Sequence, residues 1–226
     1  MKRVIRSVLA LAAGTTIFIG VPALCWGIGD LGGFFSHPAR TVYVGLMVVL
    51  QTFSLAFAPS AGAGARPKRD GAPRRHVDLL LIQILSLSIV CLAPYVDRHT
   101  GSAAAIGEAG RYVGLVLVAL GFAFMQLAER HLGRQFSVEV TLQENHQLVQ
   151  HGVYTYVRHP RYLGILLFFA GIVLVFHASW VMVLVLALLA VLVWRVYAEE
   201  SLLRQEFGQA WDEYRARSWR LIPFVF

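Results

Sequence analysis

Charge is scarce in this chain. Asp, Glu, Lys and Arg make up 15% of its 226 residues against 57% hydrophobic, with a mean hydropathy of +0.61. Soluble domains carry about a quarter charged residues, so this composition suits lipid rather than water as the solvent. Cysteine is scarcer still. Cys25 and Cys91 both lie in apolar stretches without metal or redox spacing. A disulfide framework is not indicated, and the two read as small packing residues. There is no internal repeat, and no low-complexity tract beyond the Ala/Gly-rich run at 61–65.

The formal net charge is +7, carried mostly by short loops beside apolar stretches. That placement signals topology and attraction to anionic lipid headgroups rather than nucleic-acid binding.

What remains is a series of apolar runs of the length that crosses a bilayer as helix, roughly 17–25 residues. They fall at 4–28, 41–58, 77–96, 111–128, 163–176 and 181–197. The basic start, Lys2, Arg3 and Arg6, fits a signal peptide, and Pro22-Ala23-Leu24-Cys25 has the outline of a lipoprotein cleavage site. Leu24 is the wrong residue before such a cysteine and the run is long for a signal core, so a retained helix is predicted. The last two runs are separated only by His177-Ala178-Ser179-Trp180, which predicts a helical hairpin with arms short for a full crossing. The expected fold is all-α: a polytopic bundle of about six transmembrane helices, with a cofactor-binding loop and an amphipathic C-terminal helix.

The loops orient it. Residues 66–75 carry five basic residues against one acidic, with prolines and glycines, so this loop and the basic N-terminus are expected in the cytoplasm. Alternation then puts 129–161 and 198–226 on the same side. An integral, multi-pass protein with both termini cytoplasmic is expected, in the plasma membrane if bacterial. Residues 1–128 read as four N-terminal spans and 129–226 as the region that carries chemistry.

The stretch His131–Gly164 is too long to be a mere connector. Val138, Val140 and Leu142 alternate with Glu139 and Thr141 as in a short extended segment, and Gly152 marks a turn. Pro160 suits the first turn of a helix. Arg158 and Arg161 there either attract an anion to the helix N-terminus or snorkel to headgroups. At the end of the last run, Arg195 and Glu199 are four apart and share a helix face. Glu199 and Glu200 so near a bilayer demand partners, and such charges are functional candidates by default. Leu202, Leu203, Phe207, Trp211 and Tyr214 then recur at helical spacing, interrupted at Gly208, as an amphipathic segment at the membrane surface. It reads equally as a lid or as an interfacial tail.

His146, His151 and His159 crowd one loop, but no acid or cysteine joins them at a metal-binding spacing, so no metal is expected. His37, His99 and His177 sit in or beside loops and read as solvated bystanders.

The order HxLVxxGxYxxxRHPxYxG, a Glu-Glu pair after the next helix, a Phe-Gly-x-x-Trp-x-x-Tyr run and Ile222-Pro223 resembles the isoprenylcysteine carboxyl methyltransferase family and the related phospholipid methyltransferases. The resemblance covers about residues 130–223; the first four runs match only in being apolar. It implies an S-adenosyl-L-methionine-dependent methyltransferase. By the resemblance, His146, Gln147, Leu148, Val149, Tyr154, His159, Pro160, Arg161, Tyr162, Glu199 and Glu200 hold the cofactor, and Arg195 lies by the acceptor's reacting group. Trp211 stands where the family often has tyrosine.

Methyl transfer from a sulfonium to a carboxylate or thiolate needs no general base, only alignment and exclusion of water. Arg195 would orient an anionic acceptor. For an amine acceptor, Glu199 or Glu200 would serve as base. The expected acceptor is a lipophilic small molecule or a lipid-modified substrate reached from membrane lipid, most simply a prenylcysteine-like, isoprenoid or fatty carboxylate. The alternatives are a phospholipid N-methyltransferase, a thiol S-methyltransferase, a sterol-reductase-like NADPH enzyme and a non-catalytic membrane protein.

Overall fold

The computed structural model describes residues 2–57, 76–100, 107–133 and 147–226, with side chains at 8–55, 77–100, 107–133 and 147–226. The extended segment expected at 138–142 and the basic loop at 66–75 lie outside the described residues. Within the described residues each of the six apolar runs is mainly helical. The first is α1 (Lys2–Thr15), continuing through a π-helical turn (Thr16–Gly20) into α2 (Val21–Trp26). Pro22 explains the turn: it has no N–H to give the carbonyl four residues back, that of Phe18. The buried Tyr43 hydroxyl donates to that carbonyl instead, at 2.9 Å.

A short α3 (Leu31–Phe35) leads into α4 (Pro38–Phe57), α5 (His76–Thr100) and α6 (Ala109–Leu132). The hairpin is α7 (Pro160–Val175) and α8 (Met182–Phe207), and α9 (Gln209–Ala216) follows Gly208. Its turn needs a left-handed His177, φ 52°, and His177 is buried, which corrects its reading as a solvated bystander. His37 is likewise engaged, 2.7 Å from Glu108, and His99 contacts the Tyr95 carbonyl at 2.8 Å in the last turn of α5. α8 runs past the apolar stretch that ends at 197 as far as Phe207, so this arm is longer than expected, while Arg195 and Glu199 share a helix face and Gly208 interrupts the helix as the spacing predicts. Among the described residues, four spans are long and apolar enough to cross a membrane: Val8–Trp26, Val77–Thr100, Ala109–Leu132 and Ser179–Phe207. α7 is shorter, and α4 is 20 residues long.

The centre of the bundle is the antiparallel pair α6 and α7, brought to backbone contact by two glycines on each helix. A Cβ on Gly121 would stand 2.6 Å from the Gly164 carbonyl oxygen, and one on Gly114 2.6 Å from that of Gly171. Small residues substitute for the hydrophobic effect in lipid by letting helices approach closely. Around this seam Phe34, Tyr43, Met47, Ile89, Phe176, Leu188 and Leu192 are fully buried. Val49, Val113, Val116, Val183 and Leu186 point outward, as a lipid-facing surface requires.

Charge is buried at both ends of the bundle. At one end Asp97 of α5 accepts from Arg40 Nη1 at 2.9 Å, and from Arg111 Nη1 and Nη2 at 2.9 and 2.8 Å. Arg40 also donates to the Phe34 and Gly33 carbonyls and Arg111 to that of Val175, so this triad ties α3, α4, α5, α6 and α7 together. The other end holds the candidate site.

Candidate active site

Five elements meet at that second end: the first turn of α5, the last turn of α6, the start of α7, the last third of α8 and the C-terminal tail. Proline at the first position of α7 starts that helix immediately after His159, which sets His159 and Tyr162 one turn apart. Their rings lie parallel, 5.6 Å between centroids. Facing them, Arg195, Glu199 and Glu200 come off one stretch of α8.

Arg195 is buried. Its Nη1 donates to Asp78 Oδ2 at 2.6 Å, and its Nε to the Tyr162 hydroxyl at 2.7 Å and Glu199 Oε1 at 3.1 Å. The Tyr162 hydroxyl donates to the same Glu199 oxygen. His159 bridges the two acids, Nδ1 lying 3.5 Å from Glu199 Oε2 and Nε2 3.6 Å from Glu200 Oε1. Glu200 in turn accepts from Arg158 Nε and Arg220 Nε, each at 3.0 Å. The result is one chain of alternating charge, Asp78–Arg195–Glu199–His159–Glu200, flanked by Arg158 and Arg220. Such pairing is what permits charges to be buried. Within it the Glu199 side chain keeps 23% of its surface exposed, against 3% for Arg195 and 8% for Glu200.

The tail is locked on by backbone as well as side chains. Arg158 and His159 N–H groups donate to the Trp219 and Arg220 carbonyls at 2.7 and 3.0 Å, and Val157 and Trp219 form a parallel bridge. Arg158 Nη1 also donates to the Arg215 carbonyl and the Ser218 hydroxyl, each at 3.1 Å. Trp211 and Tyr214 of α9 are buried, so the amphipathic segment is packed onto the protein through these residues. The Tyr214 hydroxyl donates to the Tyr154 carbonyl at 2.7 Å, and burial raises its pKa to about 12.

Thus, of the residues singled out in the sequence, His159, Tyr162, Arg195, Glu199 and Glu200 converge. Pro160 is buried beside them as the helix start. Arg161 turns to Glu129 of α6, 3.2 Å away. Tyr154 is buried and reaches the Ala128 carbonyl at 3.4 Å, and burial raises its pKa. Gln147 is exposed and Leu148 and Val149 half-buried in the approach to Gly152. His146 lies outside the described residues. Sequence reasoning missed Asp78, Glu129 and Arg220. A signal for Asp78 was available: it is the one charged residue in the apolar run 77–96, and an intramembrane acid needs a partner.

Burial alone would lower the pKa of His159, but its contacts with Glu199 and Glu200 outweigh that and raise it. A raised folded-state pKa contributes stability fully below the unfolded value, about 6.5, and that contribution is lost as pH rises through the folded value. His159→Gln is therefore expected to melt below the wild type at about pH 6, by a gap that narrows toward about pH 9. A gap that stays constant in melting curves across that range would show that folding does not raise the pKa of this histidine.

With this geometry in view, the fold defines the class: an integral membrane protein of helical-bundle architecture, built like the eukaryotic intramembrane Ras methyltransferase ICMT (isoprenylcysteine carboxyl methyltransferase). The two structures align with a TM-score of 0.54 over 98% of this chain and 86% of that one, at 20% identity. Residues 109–210 match the family model for phospholipid methyltransferases. The chain is 34% identical over 117 residues to a probable protein-S-isoprenylcysteine O-methyltransferase of Oryza sativa subsp. japonica, covering 50% of this chain and 61% of that protein. It is 35% identical over 121 residues to protein-S-isoprenylcysteine O-methyltransferase B of Arabidopsis thaliana, covering 50% and 58%. The chain thus spans about three fifths of the length of these relatives. The likeness read from the motifs is borne out.

Proposed function

We propose that this protein is an S-adenosyl-L-methionine-dependent methyltransferase acting on a lipophilic carboxylate, of the prenylcysteine or isoprenoid and fatty-acid kind. The observation that carries this reading is the Arg195–Glu199–His159–Glu200 array, formed by residues of the motif that resembles the isoprenylcysteine carboxyl methyltransferase family. Its donor set fits a cofactor bearing cationic groups: Glu199 is the acid in the array with surface still exposed, and it can turn an oxygen to an ammonium or sulfonium. His159 and Tyr162 hold Glu199 in place, with Glu200 behind His159, while by the resemblance Gln147, Leu148, Val149 and Tyr154, with His146 beside them in sequence, contribute to the cofactor side. Pro160 and Arg161 set the start of α7 against α6.

When bound, the cofactor supplies an electrophilic methyl group. The protein's own contribution is placement. Arg195 offers a guanidinium to an anionic acceptor, in the planar geometry that suits a carboxylate. A carboxylate is already nucleophilic, so no residue need remove a proton. Low dielectric around buried groups strengthens each of these contacts, and alignment in line contributes most of the rate. The acceptor's apolar tail is taken up from the membrane lipid beside α5 and α8, with the site end of the bundle and both termini facing the cytoplasm. In this reading 1–128 are the supporting spans and 129–226 the catalytic region.

Calorimetry of the detergent-purified protein with S-adenosyl-L-methionine and with NADPH tests the reading. Saturable binding of the first, weakened at least about tenfold by Glu199→Ala (about 1.4 kcal/mol), is expected. Binding of NADPH in its place would sink the methyltransferase assignment.

A further inference from the structure

Asp78 lies on α5, outside the segment 109–210 that matches the family model, yet it closes on the residue most central to the site. Its Oδ1 accepts the Leu79 N–H at 2.9 Å, in the first turn of α5, where the helix end favours a negative charge. Its Oδ2 accepts from Arg195 Nη1 at 2.6 Å, and the two side chains are 5% and 3% exposed. Arg195 is thereby gripped on two sides, by Asp78 at Nη1 and by Tyr162 and Glu199 at Nε. The second grip involves an acid that also faces His159 and retains exposure. The first does not. Asp78 is the deeply buried counter-ion of the pair.

We infer that Asp78 is a positioning residue: it fixes the plane of the Arg195 guanidinium and neutralises its charge, so that Arg195 is presented in one orientation to the acceptor's carboxylate. The inference rests on the methyltransferase reading above and extends it to a helix that the motif does not include. Because Tyr162 and His159 hold Glu199 independently of Asp78, the cofactor side of the site stands without it. Loss of Asp78 therefore separates the two substrates. Acceptor use falls while cofactor affinity holds.

The test is steady-state methylation of an N-acetylated S-prenylcysteine by full-length protein in detergent–lipid, with S-adenosylhomocysteine affinity measured alongside, for wild type, Asp78→Ala, Asp78→Asn and Asp78→Glu. The expected result is a fall of at least about tenfold in kcat/KM for the acceptor in Asp78→Ala, a smaller fall in Asp78→Asn, and partial rescue in Asp78→Glu. S-adenosylhomocysteine affinity stays within about threefold throughout. Unchanged acceptor kinetics in Asp78→Ala overturn the inference, as does an equal loss of cofactor affinity, which would make the residue merely structural. If Asp78→Ala does not fold, the near-isosteric Asp78→Asn decides by the same two criteria. A folded wild type without turnover fails the methyltransferase reading and this inference with it; turnover indifferent to Asp78 fails this inference alone.

Discussion

Gly121→Leu is expected to leave no folded protein in detergent extracts. A Cβ at this position would lie 2.6 Å from the Gly164 carbonyl oxygen and 2.9 Å from the Phe168 Cα. The clash is with backbone, so no rotamer change relieves it and the helices must move apart. Overpacking in a yielding core costs about 1–3 kcal/mol; here separation also breaks the Gly114–Gly171 contact on the same seam. Between two helices in lipid, that close packing is the main attraction. Gly121→Ala is expected to fold with a clearly lowered melting point, and Gly45→Leu, where a Cβ meets open space, to behave as wild type. Size-exclusion profiles with thermal challenge read all three. A monodisperse, heat-resistant Gly121→Leu protein would show that the seam is not what holds α6 to α7.

The second large effect is expected at the opposite end of the bundle. Asp97→Ala removes the acid between Arg40 and Arg111 and leaves two buried guanidiniums facing each other. Breaking a buried ion pair costs about 3–5 kcal/mol, and burial shields the loss from salt. Arg111→Ala should cost less, because Arg40 and Asp97 remain a neutral pair. Reversible unfolding in mixed micelles would give both values. Since the triad lies at the far end from Arg195, the S-adenosyl-L-methionine affinity expected under the proposed function should be unchanged for the surviving folded fraction of both variants. Equal costs for the two substitutions would mean that Asp97 is not shared.

The residues of the charged site were not equally legible from the sequence. Glu199 and Glu200 drew attention because adjacent acids beside an apolar run are rare, and their spacing from Arg195 put the pair on one helix face without any tertiary knowledge. The contact between Asp78 and Arg195 spans 117 positions, and no local pattern reports it. Arg220 was hidden for a different reason: the tail that carries it is placed by backbone bonds to Tyr156, Arg158 and His159, which depend on chain path rather than side-chain type. The helices themselves were visible because apolar length alone dictates them in lipid. Their ends were less so, and α8 outruns its hydrophobic stretch because the glutamates that end the apolar run are good helix formers with buried partners.

Asp78 and Asp97 stand near the two ends of the same helix, about 28 Å apart along its axis at 1.5 Å per residue. Each anchors one of the charged clusters, and the slab between them matches the roughly 30 Å hydrocarbon thickness of a bilayer. α5 is therefore a ruler as well as a scaffold. In a bilayer of that thickness it would set the Arg195–Glu199 array at the depth where acyl chains give way to water, where a molecule with a greasy tail and an ionised head naturally comes to rest. A bilayer much thicker than the slab would draw one charged cluster into hydrocarbon, and a thinner one would expose the apolar rim of the bundle. The distance between two aspartates thus sets the membrane thickness that the bundle matches with least mismatch.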